Sequence, residues 1–468
     1  MNRQGELIMR KWRNYIVASL AGVMLFSLAG CTNSETKKEV ETSAPTEANK
    51  EAATGENEAV ANAINTTDPI KLTMSWWGGD ERHEATQKAV DAFTAKYPNI
   101  TVETTFSAWS GWEEVMGLAF SSGTAEDIVQ INWNWIEAFG ADGATFHDLY
   151  QYSDVLDLSQ FPENNLAASE LNGKLMGLPI SVTARTMFWN QEVFDKAGIA
   201  IPTTWDELLA AGETFKTVLG DDYYPMMLTE YDRALFMAYY LQSVYGKDWV
   251  VNGELNYSKE EIIEGFEMLR LLEDSHVIPT VQMIYDYAAS VVDQSDRWID
   301  GYWAGIYTWS SSYVNLAIAL PDPDQMVAGA MFGGFPYKGG LNKISQEFAI
   351  SATCEHPVEA AALLNFLLNE EEGVILMSDQ RGVPASKAGM AILVESGVLS
   401  EFMVNTTELA LGGAQFAMDS QFENAQLRSE GDGLYYSVMS NHSYGNYTNE
   451  EAAETLINGI NEVLSSSN

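Results

Sequence analysis

Three turns of this sequence place tryptophan beside glycine, serine or asparagine. Trp76 and Trp77 precede Gly78-Gly79, Trp109 and Trp112 flank Ser110-Gly111, and Trp133 and Trp135 alternate with Asn132 and Asn134. Flat aromatic rings next to planar hydrogen-bonding side chains suit a ligand with apolar C–H faces and a rim of hydroxyls, which is what a sugar ring offers. Asp80 and Arg82 follow the first turn and add a carboxylate and a guanidinium. Further along, Arg185 stands near Ser181 and Thr183, and Trp309 opens a run of three serines. Phe335 and Tyr337 lie in a stretch rich in Gly, Pro and aromatics, and Arg381 precedes Gly382-Val383-Pro384. Each has a plainer reading: the rings as core over a sheet edge, Asp80 and the asparagines as helix caps, Arg185 in a structural salt bridge. Trp298 and Trp303 read as core.

Covalent and metal chemistry find little support. The sequence holds no Gly-x-Ser-x-Gly, no phosphate-binding glycine loop ending in Lys-Ser/Thr and no His-Glu-x-x-His. Five His and a single cysteine beyond Cys31 make no zinc site, so neither metal nor cofactor is expected. A pair of carboxylates for glycosidic hydrolysis is defined in space rather than in sequence, so a surface-anchored glycoside hydrolase stays open as an alternative.

The formal net charge is -41. A surface this acidic repels nucleic acid and anionic lipid headgroups, and it favours neutral or cationic ligands over anions. A polyamine receptor, with cations against aromatic faces, is therefore a third reading. A monomer is expected.

The elements that must position these groups alternate. Ile70–Trp76 reads as a strand, Asp80 as the cap of a helix from Glu81 to about Tyr97, and Pro98 as its stop. Ile100–Phe106 and Asp127–Ile131 read as further strands, with a helix from Trp112 to about Ser121 between them. Thr186–Asn190 is another strand, and Thr204 with Glu207 forms a capping box for the next helix. Helices are expected near Arg233–Tyr245 and Lys259–Glu273, a strand at Glu347–Ala352, and a helix from Pro357 to about Leu368. The last 90 or so residues read mainly as helices. Such alternation indicates βαβ units around parallel sheet, and 400 residues after Asp68 predict two α/β lobes.

The N-terminus reads as a leader. Arg10, Lys11 and Arg13 precede an apolar run from Tyr15 to Ala29, about 22 Å as a helix and short of the roughly 30 Å bilayer core. The run ends in Leu28-Ala29-Gly30-Cys31, which resembles the lipobox of bacterial lipoproteins. On that reading residues 1–30 are a cleaved signal, Cys31 carries lipid, and either Met1 or Met9 is the start. Residues 31–68 are polar, lack aromatics and are expected to form a disordered tether.

Taken in order, Trp76-Trp77-Gly78-Gly79, Gly123-Thr124-Ala125-Glu126-Asp127-Ile128, Gly177-Leu178-Pro179, Phe188-Trp189-Asn190 and Pro202-Thr203-Thr204-Trp205 resemble the family 1 extracellular solute-binding proteins, the maltose-binding-protein-like group. The likeness continues through Phe335-Pro336, Pro357 to Asn369 and Gly382-Val383-Pro384, and departs at Asn132-Trp133-Asn134-Trp135. It implies a two-lobed periplasmic-binding-protein fold of type II with the ligand cleft between the lobes. It also implies three hinge crossings, expected near Ile180–Thr183, Phe335–Lys338 and Glu370–Gly373. Residues 69–181 and 337–371 would then form lobe 1, and 182–336 with 372–468 lobe 2. The implied function is capture of an oligosaccharide for an ABC permease. The protein would be held by Cys31 at the outer face of a one-membrane cell or in the periplasm of a two-membrane one. The resemblance sets an aromatic near Trp309 against the sugar.

Overall fold

The computed structural model describes residues 63–466 apart from 110, 141–142, 252 and 288–291. The signal peptide, Cys31 and most of the tether lie outside the described residues. The tether's last part is docked: Ile64 packs on a core cluster, and the Asn65 amide donates to Glu359 Oε1 at 2.8 Å.

Eight strands form one mixed sheet. They are β1 (Ile70–Trp77), β2 (Ile100–Ser107), β3 (Ile128–Asn132), β4 (Leu178–Asn190), β5 (Gly305–Trp309), β6 (Met326–Gly329), β7 (Leu341–Ile350) and β8 (Phe416–Ala417). The main path runs β6-β4-β7-β3-β1-β2, with β5 also on β4 and β8 on β7. β1 pairs in parallel with β2 and β3, as βαβ units require, while β7 lies antiparallel between β3 and β4.

The helices used below are α1 (Asp80–Lys96), α2 (Trp112–Ser122), α3 (Trp135–Gly140), α4 (Trp205–Val218), α5 (Glu230–Tyr245), α6 (Lys259–Asp274), α7 (Pro357–Asn369), α8 (Glu371–Met377), α9 (Lys387–Glu395), α10 (Glu401–Gly413), α11 (Leu434–Ser443) and α12 (Asn449–Ser466). α1 begins one residue earlier than expected. Gly79, in extended conformation, takes the cap position and Asp80 falls in the first turn, where its charge suits the positive end of the helix dipole. The Thr204–Glu207 capping box of α4 is formed.

β4 explains the two-lobed form. Its thirteen residues are all buried. Leu178–Ala184 pair with β7 in the first lobe, and Arg185–Trp189 pair with β5 in the second. Each lobe has its own large apolar core. One gathers β1, α1 and α7 around Phe93, Phe348 and Phe366; the other gathers α4, α5, α6, α11 and α12 around Trp205, Phe236 and Leu456. Trp133 packs against both.

One crossing differs from expectation. The chain does not leave the first lobe at Glu370–Gly373: α8 packs on α1 and α7, and α9 on α7 and α8. Burial of Val374 and Leu393 holds this segment in place. The passage comes later, at α10, where Ala410 and Ala414 close against Ala184 of β4. β8 then pairs with Leu341 and Asn342 before Phe422 and Leu427 enter the second core.

Candidate functional site

Among the described residues, no helix is long and apolar enough to cross a membrane, and no group of three His, Cys, Asp or Glu could hold a metal. The chemistry on offer lies between the lobes. A cavity of about 560 Å³ is walled on one side by Trp109, Glu113, Asn132, Asn134 and Ala138, and on the other by Tyr231, Tyr436 and the segment from Ser420 to Glu430. That volume falls in the range of sites for small molecules. A second cavity, about 470 Å³, follows the hinge strands along Trp133, Val182, Asn342 and Lys343, and shares Ser420 with the first.

The first wall is built from strand ends. Trp77 closes β1, Trp109 follows β2 and Asn132 closes β3, so the parallel register brings three turns to one edge. The rings then sort by depth. Trp135 is fully buried, Trp77 nearly so, and Trp109 is 44% exposed. Trp109 stacks on Trp135 with centroids 5.9 Å apart and planes 20° apart, and leans on Trp77 at 5.0 Å. The buried pair is a base for the exposed ring. Asn132 donates to Asn134 Oδ1, which fixes both amides at the rim.

The floor holds a charged network. Lys343 of β7 donates to Glu423 Oε1 at 2.5 Å, and Arg428 Nη1 reaches the same oxygen at 3.2 Å. Trp133 Nε1 donates to Glu423 Oε2 at 3.4 Å, so this carboxylate links hinge strand, first lobe and second lobe. Ser420 and Glu137 add a further bond between the lobes. Burial pushes the Glu423 carboxyl up, but Lys343 and Arg428 outweigh it and hold it below its ordinary value. Burial pushes Lys343 down in turn, and Glu423 only partly restores it. Arg185, 2% exposed, pairs with Asp232 at the start of α5. Its guanidinium lies 5.0 Å from the Trp309 ring centroid and 4.8 Å from that of Tyr307, while Lys343 Nζ lies 4.6 Å from Trp309. Trp309 thus carries two cations. Tyr231 lines the first cavity with a buried hydroxyl that has no partner, a handle for a ligand hydroxyl. Glu113, on the same cavity, is shifted upward by burial, with Arg428 pulling the other way.

The remaining expected site residues fall elsewhere. Trp76 is wholly buried, stacked on Phe106 and bonded through Nε1 to His83, and Trp112 is buried under α2. Both are core, because their strand and helix faces turn inward. Asp80 is exposed at the α1 terminus and lines neither cavity. Arg82 is spent on the carbonyls of Trp77 and Gln380 and on Gln346, and Arg381 is buried behind it. Phe335 packs on Trp205 and Tyr240 of the second lobe, and Tyr337 is 52% exposed beyond it, so neither lines the cleft. Trp109, Asn132 and Asn134 line the first cavity and Trp133 the second, Trp135 backs Trp109, and Arg185 and Trp309 pack together beside Lys343 without lining either.

The floor residues Lys343, Glu423 and Arg428, with Tyr231 and Asp232, were not singled out by sequence. Lys343 had a signal: a lone cation between Leu341 and Ile344, in the strand expected only from Glu347.

A family model described as "Bacterial extracellular solute-binding protein" matches residues 79–374. Among solved structures, a periplasmic oligogalacturonide binding protein from Yersinia enterocolitica, in complex with saturated digalacturonic acid, is 35% identical with a TM-score of 0.74. The match covers 85% of this chain and 99% of that one. Periplasmic solute binding protein ECA2210 from Pectobacterium atrosepticum is 34% identical with a TM-score of 0.77, covering 85% and 99%. Among curated proteins, the melibiose/raffinose/stachyose-binding protein of Bacillus subtilis is 24% identical over 224 residues, 47% of this chain and 50% of the relative. Binding proteins of Brucella abortus are 35% identical over 133 residues, so the match spans only 32% of their length. The family match over most of the two-lobed body, and the identity that runs along 85% of the chain, place this protein among the bacterial extracellular solute-binding proteins.

Proposed function

We propose that this protein captures an oligosaccharide in the interlobe cleft and hands it to an ABC permease, from a lipid anchor on Cys31. One observation carries the reading: Trp109, with Asn132, Asn134 and the unpartnered Tyr231 hydroxyl, surrounds a cavity of about 560 Å³ between the lobes. Trp133 lines the adjoining cavity, and Trp309 lies beside Lys343, which lines that cavity too. Stacking faces and planar hydrogen-bond groups are what a saccharide needs, and two lobes can close over it by hinge bending.

The floor favours an acidic sugar within that class. Lys343 and Arg428 share one carboxylate, Glu423, while Arg185 has Asp232 to itself. Within this network cations outnumber carboxylates by one, so Lys343 and Arg428 offer donors to a ligand carboxylate even though Glu113 and Glu430 also line the cavity of this strongly acidic chain. The global charge that argued against anions does not decide the local field. The Yersinia enterocolitica protein named for oligogalacturonide supports the same choice.

Titration calorimetry on the full chain tests both levels. Digalacturonate should bind, its affinity should fall as salt rises, and a neutral disaccharide of the same linkage should bind more weakly. Tighter binding of the neutral sugar overturns the acidic class and keeps the oligosaccharide reading. Binding of a polyamine alone, or cleavage of the glycan, overturns both. Palmitate incorporation in the producing cell, lost in Cys31→Ala, tests the anchor.

A further inference from the structure

Arg82 and Arg381 meet in the first lobe with no acid between them. Arg381 Nε donates to Gln130 Oε1 at 2.9 Å and its Nη1 to Thr86 Oγ1 at 3.0 Å. Gln130 Nε2 donates in turn to Gln346 Oε1 at 2.9 Å, an atom that also accepts from Arg82 Nη1 at 3.2 Å. Arg82's other bonds reach the backbone oxygens of Trp77 and Gln380. Two guanidiniums are thus joined through two neutral amides, and among the described residues no carboxylate pairs with either.

Arg381 is 6% exposed, and its Nη2 has no hydrogen-bond partner. A buried charge lacking both a counter-charge and a full set of hydrogen bonds is a costly arrangement, and arginine does not escape it by giving up its proton at ordinary pH. Arg381 also lines a cavity of about 30 Å³, where Ser378 and Gly382 stand beside it and the other walls are apolar side chains such as Ile180, Leu367 and Leu393. A space of that size accommodates one small occupant.

We propose that this cavity binds a small monovalent anion, chloride in the first instance, held by Arg381 and neutralising the Arg82–Arg381 pair. The site acts on the cleft through covalent neighbours. Gln130 lies two residues before Asn132 on β3, and Arg82 holds the carbonyl of Trp77 at the end of β1. The anion therefore steadies two of the three strand ends that form the first wall.

Thermal unfolding of the full chain in chloride, bromide and gluconate at one ionic strength tests this, because equal ionic strength removes general screening. A saturable rise of about 2 °C is expected in the halides over gluconate, and its loss in Arg381→Met. Since that variant can fail to fold, bromide-soaked crystals of the wild type give a separate reading: an anomalous peak within hydrogen-bond distance of the Arg381 guanidinium. Equal midpoints in all three salts overturn the proposal. So does a halide response that carries no bromide peak at Arg381.

Discussion

β7 bears an ionisable group toward each end, and the two settle their burial in opposite ways. At the cleft end Lys343 and Arg428 both pair with the Glu423 carboxylate, so opposite charges meet there. Toward the core end Glu347 is wholly buried, its Oε1 accepting from Ser169 Oγ at 2.7 Å and its Oε2 without a partner. Among the described residues no cation pairs with it, so burial lifts its carboxyl to about 8 and it stays protonated at neutral pH. Gly177 permits this close fit, since a Cβ there would lie 2.1 Å from Oε2. The lesson is that a strand can carry a working charge where it borders the cleft and must discharge one where it enters the core.

Removing Glu423 should have the largest effect, because it leaves Lys343 buried and uncompensated. Glu423→Ala is expected to lower unfolding free energy by about 3 kcal/mol, read by urea denaturation. A loss below a tenth of that would mean the network is solvated and the contrast with Glu347 is false. Trp309→Ala should weaken oligosaccharide affinity by about 2 kcal/mol, roughly thirtyfold, in calorimetry, while the far-ultraviolet spectrum stays unchanged.

The pH dependence of the two carboxylates should run in opposite directions. Glu347 titrates higher when folded than its ordinary 4.5, so the folded state binds the extra proton between pH 4.5 and about 8. Its contribution is present in full below pH 4.5 and declines by roughly 1 kcal/mol per pH unit as pH rises through that window. Glu347→Gln should flatten this part of the stability profile. Glu423, held below 4.5, contributes above that pH and loses its contribution as pH falls through the lower folded value. An unchanged profile between pH 4.5 and about 8 in Glu347→Gln would show that the core end is not neutral.

Arg428→Gln should cost about tenfold in affinity for an acidic disaccharide and leave a neutral one untouched. Equal losses for both would make Arg428 a hydrogen-bond donor only. The smallest effect belongs to the exposed pair Lys71–Glu103, where Lys71→Ala should leave the denaturation midpoint unchanged.

Much of the fold was legible because local rules decide it. The first strands and α1 lie within a residue or so of where alternation, Pro98 and the helix start place them, and Pro357 opens α7 as its fixed backbone angle favours. The third crossing was not legible. Whether residues after Glu370 stay with the first lobe depends on Val374 and Leu393 finding partners there, which no local pattern reports. The tryptophans were legible as a group near strand ends but not as individuals. Trp76 and Trp77 are neighbours, and alternation sends the first into the core of α1 and the second toward Trp109 and Trp135. Lys343 was missed because Asn342-Lys343 breaks the apolar pattern of β7 where the strand borders the cleft. Glu423 and Arg428 were missed because two short helical turns between α10 and α11 carry them, and such turns have no periodicity to read.

The two lobes keep separate apolar cores, joined by β4, β7 and the small-residue contact of α10. On the proposed hinge motion, opening the cleft would bend these two strands and leave both cores closed to water. This has a calorimetric consequence. Ligand capture should carry a heat capacity change set mainly by the tryptophan faces the ligand covers, small beside that of unfolding, and nearly the same for long and short glycans that reach the same rings.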